Sequence, residues 1–281
     1  MPIANLTCIA HISATGPDTL DFLQGQLTCD LQALTPDKVM LGAYCNLKGR
    51  VSALLQIQQK DDTIWLSMPT ALIESTHKTL AKYAAFSKLT LKEQPKSLVR
   101  YGVWGDDALT ILQSLKLTTP EKQYATTEHE GTSVVRHPGI MPRFEIISEQ
   151  ALPTSTTKEE AWLAEGLKIG LAFLTSKSQG LFLPQELNLE NWQAVSFNKG
   201  CYLGQEVIAR LHYRGQLKTV LAYFKPESPI VAEAGEKFRY QNVQATLVAK
   251  ALDAENQQHV LGLVAKDTPH LTLAKNLILQ A

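Results

Sequence analysis

The order of apolar and polar positions along the chain alternates between strand-like and helix-like periods. Leu6 to Ile12 reads as a short strand, followed by a helix with Asp18 as its N-cap and Leu20, Leu23 and Leu27 on nearby faces, fraying at Gly25. Val39 to Tyr44 and Val51 to Gln58 read as strands joined by the tight connection CNLKGR, in which Gly49 is free to take a positive φ. Asp61 and Asp62 make a solvated turn into a third strand, TIWLSM. Pro69 and Thr70 open a helix through Phe86, with Leu72, Ile73, Leu80 and Tyr83 forming one buried stripe.

Between Leu89 and Ser148 the segments LTLKEQ, SLVRYGVWG, TSVVRHP and RFEIIS surround one helix, DDALTILQSL, which predicts an α+β arrangement with an antiparallel sheet. A capping box, Thr157 with Glu160, then leads into the helix AWLAEGLKIGLA. The stretch from Thr175 to Gly200 has neither period, and loops of that length in a compact domain usually carry function. Beyond Gly215 the alternating segments KTVLAYF, EKFRY, VQATLVAKAL and HVLGLVA predict a small β-barrel-like domain starting near Gln216.

Composition narrows the function classes. At 281 residues the chain has room for two or three domains, and 44% apolar with 19% charged residues excludes disordered and coiled-coil readings. Twenty-seven basic residues balance twenty-seven acidic ones, so tight direct nucleic-acid binding through a broad positive field is not expected. No apolar run approaches the ~18 residues of a membrane span, and the N-terminal stretch lacks the features of a secretory signal; the expected location is cytoplasmic, with no membrane partner. The four cysteines, Cys8, Cys29, Cys45 and Cys201, include no C-x-x-C pair and suggest neither a disulfide framework nor a local metal site.

Four stretches carry candidate chemistry. In KGCYLGQEVIAR, Cys201 precedes a helical segment whose free N–H groups and dipole favour a thiolate, and Lys199 is a nearby cation. The competing reading is a small buried cysteine in a glycine-rich turn. CNLKGR is either an ordinary hairpin turn or the rim of a cavity with Asn46 and Lys48 as polar handles. Trp162 is either core or a stacking platform for a planar heterocycle. Arg143 and Glu145 share one face of a strand and, taken alone, read as a solvated face, the alternative being an inward pair that recognises a ring.

Taken in order, FLQGQLTCDL, CNLKGR, FLPQELNLE, VSFNKGCYLGQEVIARLHYRG and the terminal β-region resemble the YgfZ/GcvT-like family of folate-binding proteins over essentially the whole chain. The resemblance implies an α+β, aminomethyltransferase-like fold. It consists of a folate-binding region over residues 1–215, itself two interleaved parts (1–90 with 150–215, and a ferredoxin-like 91–149), and a small C-terminal β-barrel over 216–281. It implies tetrahydrofolate or a derivative as cofactor, with Trp162, Arg143, Asn46, Lys48, Tyr202, Gln205 and Arg210 as binding candidates; Lys48, Arg50 or Arg210 would meet the glutamate tail. It also implies, in some members, a second folate-associated tryptophan that falls near Leu6 or Thr7 here.

Within this superfamily the true aminomethyltransferases resemble the chain in fold but carry an acidic pair where Ala53 and Leu54 stand here. Without a group to exchange a proton the transferase step loses its acid–base agent, so a folate-dependent one-carbon transferase is the alternative reading rather than the first. The YgfZ branch resembles the chain at KGCYLGQE itself. That resemblance implies an accessory protein for iron–sulfur cluster assembly or repair, and through it cluster-dependent tRNA modification. Cys201 would be the reactive thiol, supported by Lys199 and making transient contact with a cluster; the implied partners are iron–sulfur enzymes or assembly proteins.

Overall fold

Strand β4 (Val51–Lys60) shows how the alternating pattern becomes structure: Val51, Ala53, Leu55 and Ile57 are buried on one face, and Leu54 and Gln56 turn to the other. In the computed structural model, which describes residues 2–94, 97–152, 155–268 and the backbone of 272–273, β4 lies second in a five-stranded antiparallel sheet. Its order is β3 (Val39–Cys45), β4, β5 (Thr63–Pro69), β2 (Ile9–Thr15) and β6 (Thr90–Glu93). A second sheet runs β1 (Ile3–Asn5), β7 (Val99–Trp104), β10 (Arg143–Ser148), β9 (Thr132–Arg136) and β8 (Thr126–His129), again antiparallel. The N-terminal strand thus pairs with the second sheet and its successor with the first, which ties the two together.

A third sheet has the order β12 (Lys237–Tyr240), β13 (Val243–Leu252), β14 (Gln258–Ala265), β11 (Thr219–Phe224) and β15 (Thr272–Leu273). Among the described residues no pairing joins β12 to β15, so the closure of the barrel expected from the sequence is not seen among them. Residues 269–271 and 274–281 of that region lie outside the described residues.

The helices are α1 (Thr19–Gln24), α2 (Ile73–Tyr83), α3 (Ala108–Ser114), α4 (Glu159–Lys168) and α5 (Gln205–Arg214). None of the described helices is long and apolar enough to cross a membrane. The main core runs from the first sheet through α4 and the irregular 169–195 stretch to Val248, Ala249 and Leu261 of the third sheet. Burial of this continuous apolar surface is the main force holding the sheets together.

Several local expectations give way to tertiary contacts. The strand read over Leu6–Ile12 is split: Leu6 leaves β1, donating its N–H to the Arg100 carbonyl, and β2 begins only at Ile9. Asp18 stands at the N-cap position of α1 and its carbonyl accepts the Phe22 N–H, but its side chain caps nothing there; the carboxylate takes the Lys88 N–H at 2.6 Å instead. The capping box fails for the same reason. Helix α4 starts at Glu159, and Glu160 reaches out to accept the Leu252 N–H at 3.1 Å, pinning the third sheet. Tyr83 is 45% exposed and does not join the stripe made by Leu72, Ile73 and Leu80.

The third sheet is locked to α4 by polar contacts as well. Lys168 of α4 bridges Glu165 at 2.7 Å and Asp253 at 3.5 Å. Asp253 also bonds His259 at 2.8 Å, and the other nitrogen of that imidazole meets the Tyr223 hydroxyl at 2.6 Å. His259 and Asp253 are both well shielded, so this chain of hydrogen bonds is protected from competing water.

Candidate functional site

Three of the stretches singled out in the sequence meet at one corner. The CNLKGR turn joins β3 to β4, and Asn46 closes it: its side-chain oxygen accepts the N–H groups of Lys48 at 2.9 Å and Arg50 at 3.1 Å. Gly204, the N-cap of α5, has φ +80 and sits so close to this turn that a Cβ would lie 2.5 Å from the Asn46 carbonyl oxygen and 3.0 Å from the Gly49 Cα. Only glycine satisfies both the conformation and the approach. The irregular stretch completes the corner, with Phe182 O accepting from Val51 N–H and buried Gln185 donating to the Ile208 carbonyl at 2.9 Å.

Within that corner Cys201 is exposed, and no described residue makes a hydrogen bond or ion pair with its thiol. Lys199, two residues before it, is held by backbone carbonyls. Its ammonium donates to the carbonyls of Gln24 at 2.6 Å, Leu27 at 2.9 Å and Cys29 at 2.7 Å, and lies 5.2 Å from the Tyr202 ring. Burial lowers its pKa to about 8, which leaves it a cation at neutral pH. The lysine therefore staples the segment carrying Cys201 to the end of α1. Tyr202 is buried, Gln205 accepts the Tyr202 N–H at 3.3 Å, and Lys48 and Arg210 project into solvent. The other thiols are held protonated: burial raises Cys29 and Cys45 to about 12, and burial together with Glu159 does the same for Cys8.

Trp162 and Arg143 belong to a different place, a cavity of about 470 Å³ walled by β4, β5, β10, α4 and residues 171–176. Its walls are mostly apolar, including Ile9, Leu54, Met68, Leu163 and Phe173, with polar groups gathered at one end. Leu54 lines this space, and Ala53 is buried on the opposite face of β4. None of Cys201, Lys199, Asn46, Lys48, Tyr202, Gln205 or Arg210 lines it.

The expectation of a solvated Arg143–Glu145 face is overturned: Arg143 is 4% exposed and Glu145 1%. The reason is the company each keeps. Arg143 lays its guanidinium on the Trp162 ring at 3.9 Å and donates to the Trp162 carbonyl at 2.8 Å, while its Nε has no partner. Trp162 can lie there because Gly102 is opposite: a Cβ on that residue would be 2.5 Å from the indole. Burial lowers the Arg143 pKa to about 10, so it remains cationic.

Glu145 anchors a buried network. One carboxylate oxygen takes Arg100 Nη1 at 2.5 Å, and the other takes Gln56 Nε2 at 2.9 Å and His137 Nε2 at 3.1 Å. Arg100 continues to Ser67 Oγ at 2.9 Å, His11 Nδ1 at 3.0 Å and Gln94 Oε1 at 3.2 Å. Burial alone would push Glu145 up, but the Arg100 guanidinium and the bonds from His137 and Gln56 hold it well below the usual carboxylate range. Burial, reinforced by Arg100, lowers His11 to about 3. Burial also lowers His137, against the opposing pull of Glu145. The arrangement presents a stacked cation, a neutral imidazole and an apolar slot, which suits a flat ring with a polar edge. Among the described residues no cluster of metal-ligating side chains forms.

Sequence reasoning missed His137, Gln56, Arg100 and His11 as parts of this site. A period-two pattern places Gln56 on the face of β4 opposite Ala53, yet nothing local to the other three distinguishes them from ordinary strand and loop residues.

No protein-family model matches the chain. Two curated relatives are both named tRNA-modifying protein YgfZ. The one from Colwellia psychrerythraea is 32% identical over 253 residues, covering 84% of this chain and 78% of that protein. The one from Photorhabdus laumondii is 30% identical over 239 residues, covering 82% and 72%. Among solved structures, the glycine cleavage system aminomethyltransferase T from Bartonella henselae superposes with a TM-score of 0.74 over 94% of this chain and 78% of its own, at 15% identity, which establishes a shared fold. Identity at this level along most of both chains, on that fold, makes the chain a member of the YgfZ family of tRNA-modifying proteins.

Proposed function

We propose that the protein binds tetrahydrofolate or a derivative in the cavity beside Trp162 and uses Cys201 to support the assembly or repair of iron–sulfur enzymes, among them one that modifies tRNA. The observation that carries this reading is the cavity itself, whose volume of about 470 Å³ lies within the usual range for small-molecule sites and whose polar end carries a guanidinium stacked on an indole. Trp162, Arg143 and the Glu145 network would hold the pteridine end against the apolar walls. Bound folate would supply a one-carbon unit, and Leu54 offers it no acid–base partner. Balanced charge favours a route to tRNA through a client enzyme in the cytoplasm.

Cys201 would act apart from the cavity, at an exposed corner where a partner protein has access. The iron–sulfur cluster is cargo in this scheme. A thiolate is a suitable ligand for iron, but one cysteine leaves the remaining positions to the partner.

Two experiments test the reading separately. Titrating tetrahydrofolate against intrinsic tryptophan fluorescence should give saturable quenching, because Trp162 lies in the cavity wall; a flat titration rejects the folate half. Cys201→Ser should retain the wild-type melting temperature and folate affinity while failing to restore iron–sulfur enzyme activity in a strain lacking the factor. Full restoration by that variant rejects the thiol half.

A further inference from the structure

His137 lines the cavity and has an unused acceptor, and its state is determined by its neighbours. Glu145 is ionised and can only accept, so the 3.1 Å contact requires the hydrogen of the imidazole to sit on Nε2. Nδ1 is then a bare lone pair. A second proton is opposed chiefly by burial, with smaller help from the guanidinium charges of Arg143 and Arg100, against the pull of Glu145. The ring plane is set by an edge-to-face contact with Trp162 at 5.2 Å. Nδ1 makes no hydrogen bond among the described residues and is not among the sealed, unpartnered atoms, and the residue lines the cavity.

Several neighbouring polar atoms are committed. Gln56 Nε2 is held by Glu145, Ser67 Oγ accepts from Arg100, and the Arg143 Nη2 donor is spent on the Trp162 carbonyl. A ligand entering here therefore meets the open His137 Nδ1, beside a Gln56 Oε1 that no described residue engages, in a largely apolar surround where an unmet lone pair is costly.

We propose that His137 is a specificity-determining residue of the cavity, its Nδ1 receiving a ring N–H of the bound reduced pterin. This inference rests on the folate reading above. Arg100 and Glu145 are positioning residues for it, since they hold the imidazole in the tautomer that leaves Nδ1 free to accept. Ligands that bring only a bare ring nitrogen or a methylated one to that position are rejected, because two lone pairs or a methyl group would then face each other across a dry site.

The test uses two replacements that split the imidazole's two roles. In His137→Gln the side-chain amide nitrogen stands near the former Nε2 and keeps a donor for Glu145, but nothing accepts at the Nδ1 position. In His137→Asn the amide oxygen stands near the former Nδ1 and keeps the acceptor, while the bond to Glu145 is lost. The dissociation constant for tetrahydrofolate is read by tryptophan fluorescence on the full chain, with the melting temperature measured alongside.

The Gln variant is expected to bind roughly tenfold to a hundredfold more weakly than wild type, and the Asn variant to stay within about threefold. A loss of less than about tenfold in the Gln variant, or equal losses in both, overturns the proposal, since a merely structural histidine would respond to loss of the Glu145 bond instead. Failure of the wild-type chain to bind tetrahydrofolate overturns the folate reading and this inference with it. Binding by wild type that the Gln variant preserves overturns the inference alone.

Discussion

Replacing Arg100 with Met is expected to destabilise the protein by about 3–5 kcal/mol, because it leaves the Glu145 carboxylate buried beside an apolar side chain. Arg100 and Glu145 have side-chain exposures of 0% and 2%, and the guanidinium also serves Ser67, His11 and Gln94. Urea denaturation followed by circular dichroism reads the loss as a lower midpoint. The exposed pair Lys177–Glu233, at 62% and 54%, is the control, where Lys177→Met should cost only about 0–1 kcal/mol. An Arg100 variant no less stable than that control would mean that the network contributes nothing to the fold.

The same network predicts how stability depends on pH. The folded-state pKa of His11 is depressed to about 3, from an unfolded value near 6.5, and that of His137 is depressed as well. The unfolded chain therefore takes up protons that the folded one refuses, so the contribution is complete above pH ~6.5 and falls away below it. Glu145 is also depressed, and its contribution is complete above its unfolded pKa of about 4.3 and lost as pH falls further. Acid destabilisation should begin near pH 6.5, and His11→Asn should flatten the early part of that decline.

Lys199→Met should cost about 2–3 kcal/mol, since three carbonyls that share one ammonium are left without their charged donor. The loss should be local in character. Amide exchange should quicken in residues 196–204, where the strap between the end of α1 and the start of α5 has been cut, and change little in the second sheet. Cys201→Ser provides the contrast, because the thiol makes no bond that the fold depends on. Were Lys199 only an activator of Cys201, its replacement would leave urea midpoints and exchange rates unchanged.

Much of the first sheet, the helix after Gly204 and the four main strands of the third sheet could be read from residue order alone. Alternation along Val51–Gln58, a glycine with positive φ in CNLKGR, and helical spacing after KGCYLGQE depend on neighbours a few residues apart, and the structure keeps them. The caps were harder. Asp18 and Glu160 have the chemistry to serve their own helices, but Lys88 N–H and Leu252 N–H compete for the same oxygens. Sequence spacing does not reveal a competitor 70 or 92 positions away.

By itself the sequence determined which residues share a strand or helix face, where the turns fall, and the family to which the ordered motifs point. Only the tertiary structure decided that the Arg143–Glu145 face is an interior one, that Lys199 is bound to carbonyls rather than to a thiol, and that Cys201 and Trp162 occupy different places. The physical reason is the reach of each interaction. Periodicity and turn chemistry are satisfied within a few residues, whereas a buried charge is tolerable only when a distant partner arrives, and here Arg100 comes from the neighbouring strand, with His11 and Gln56 from another sheet.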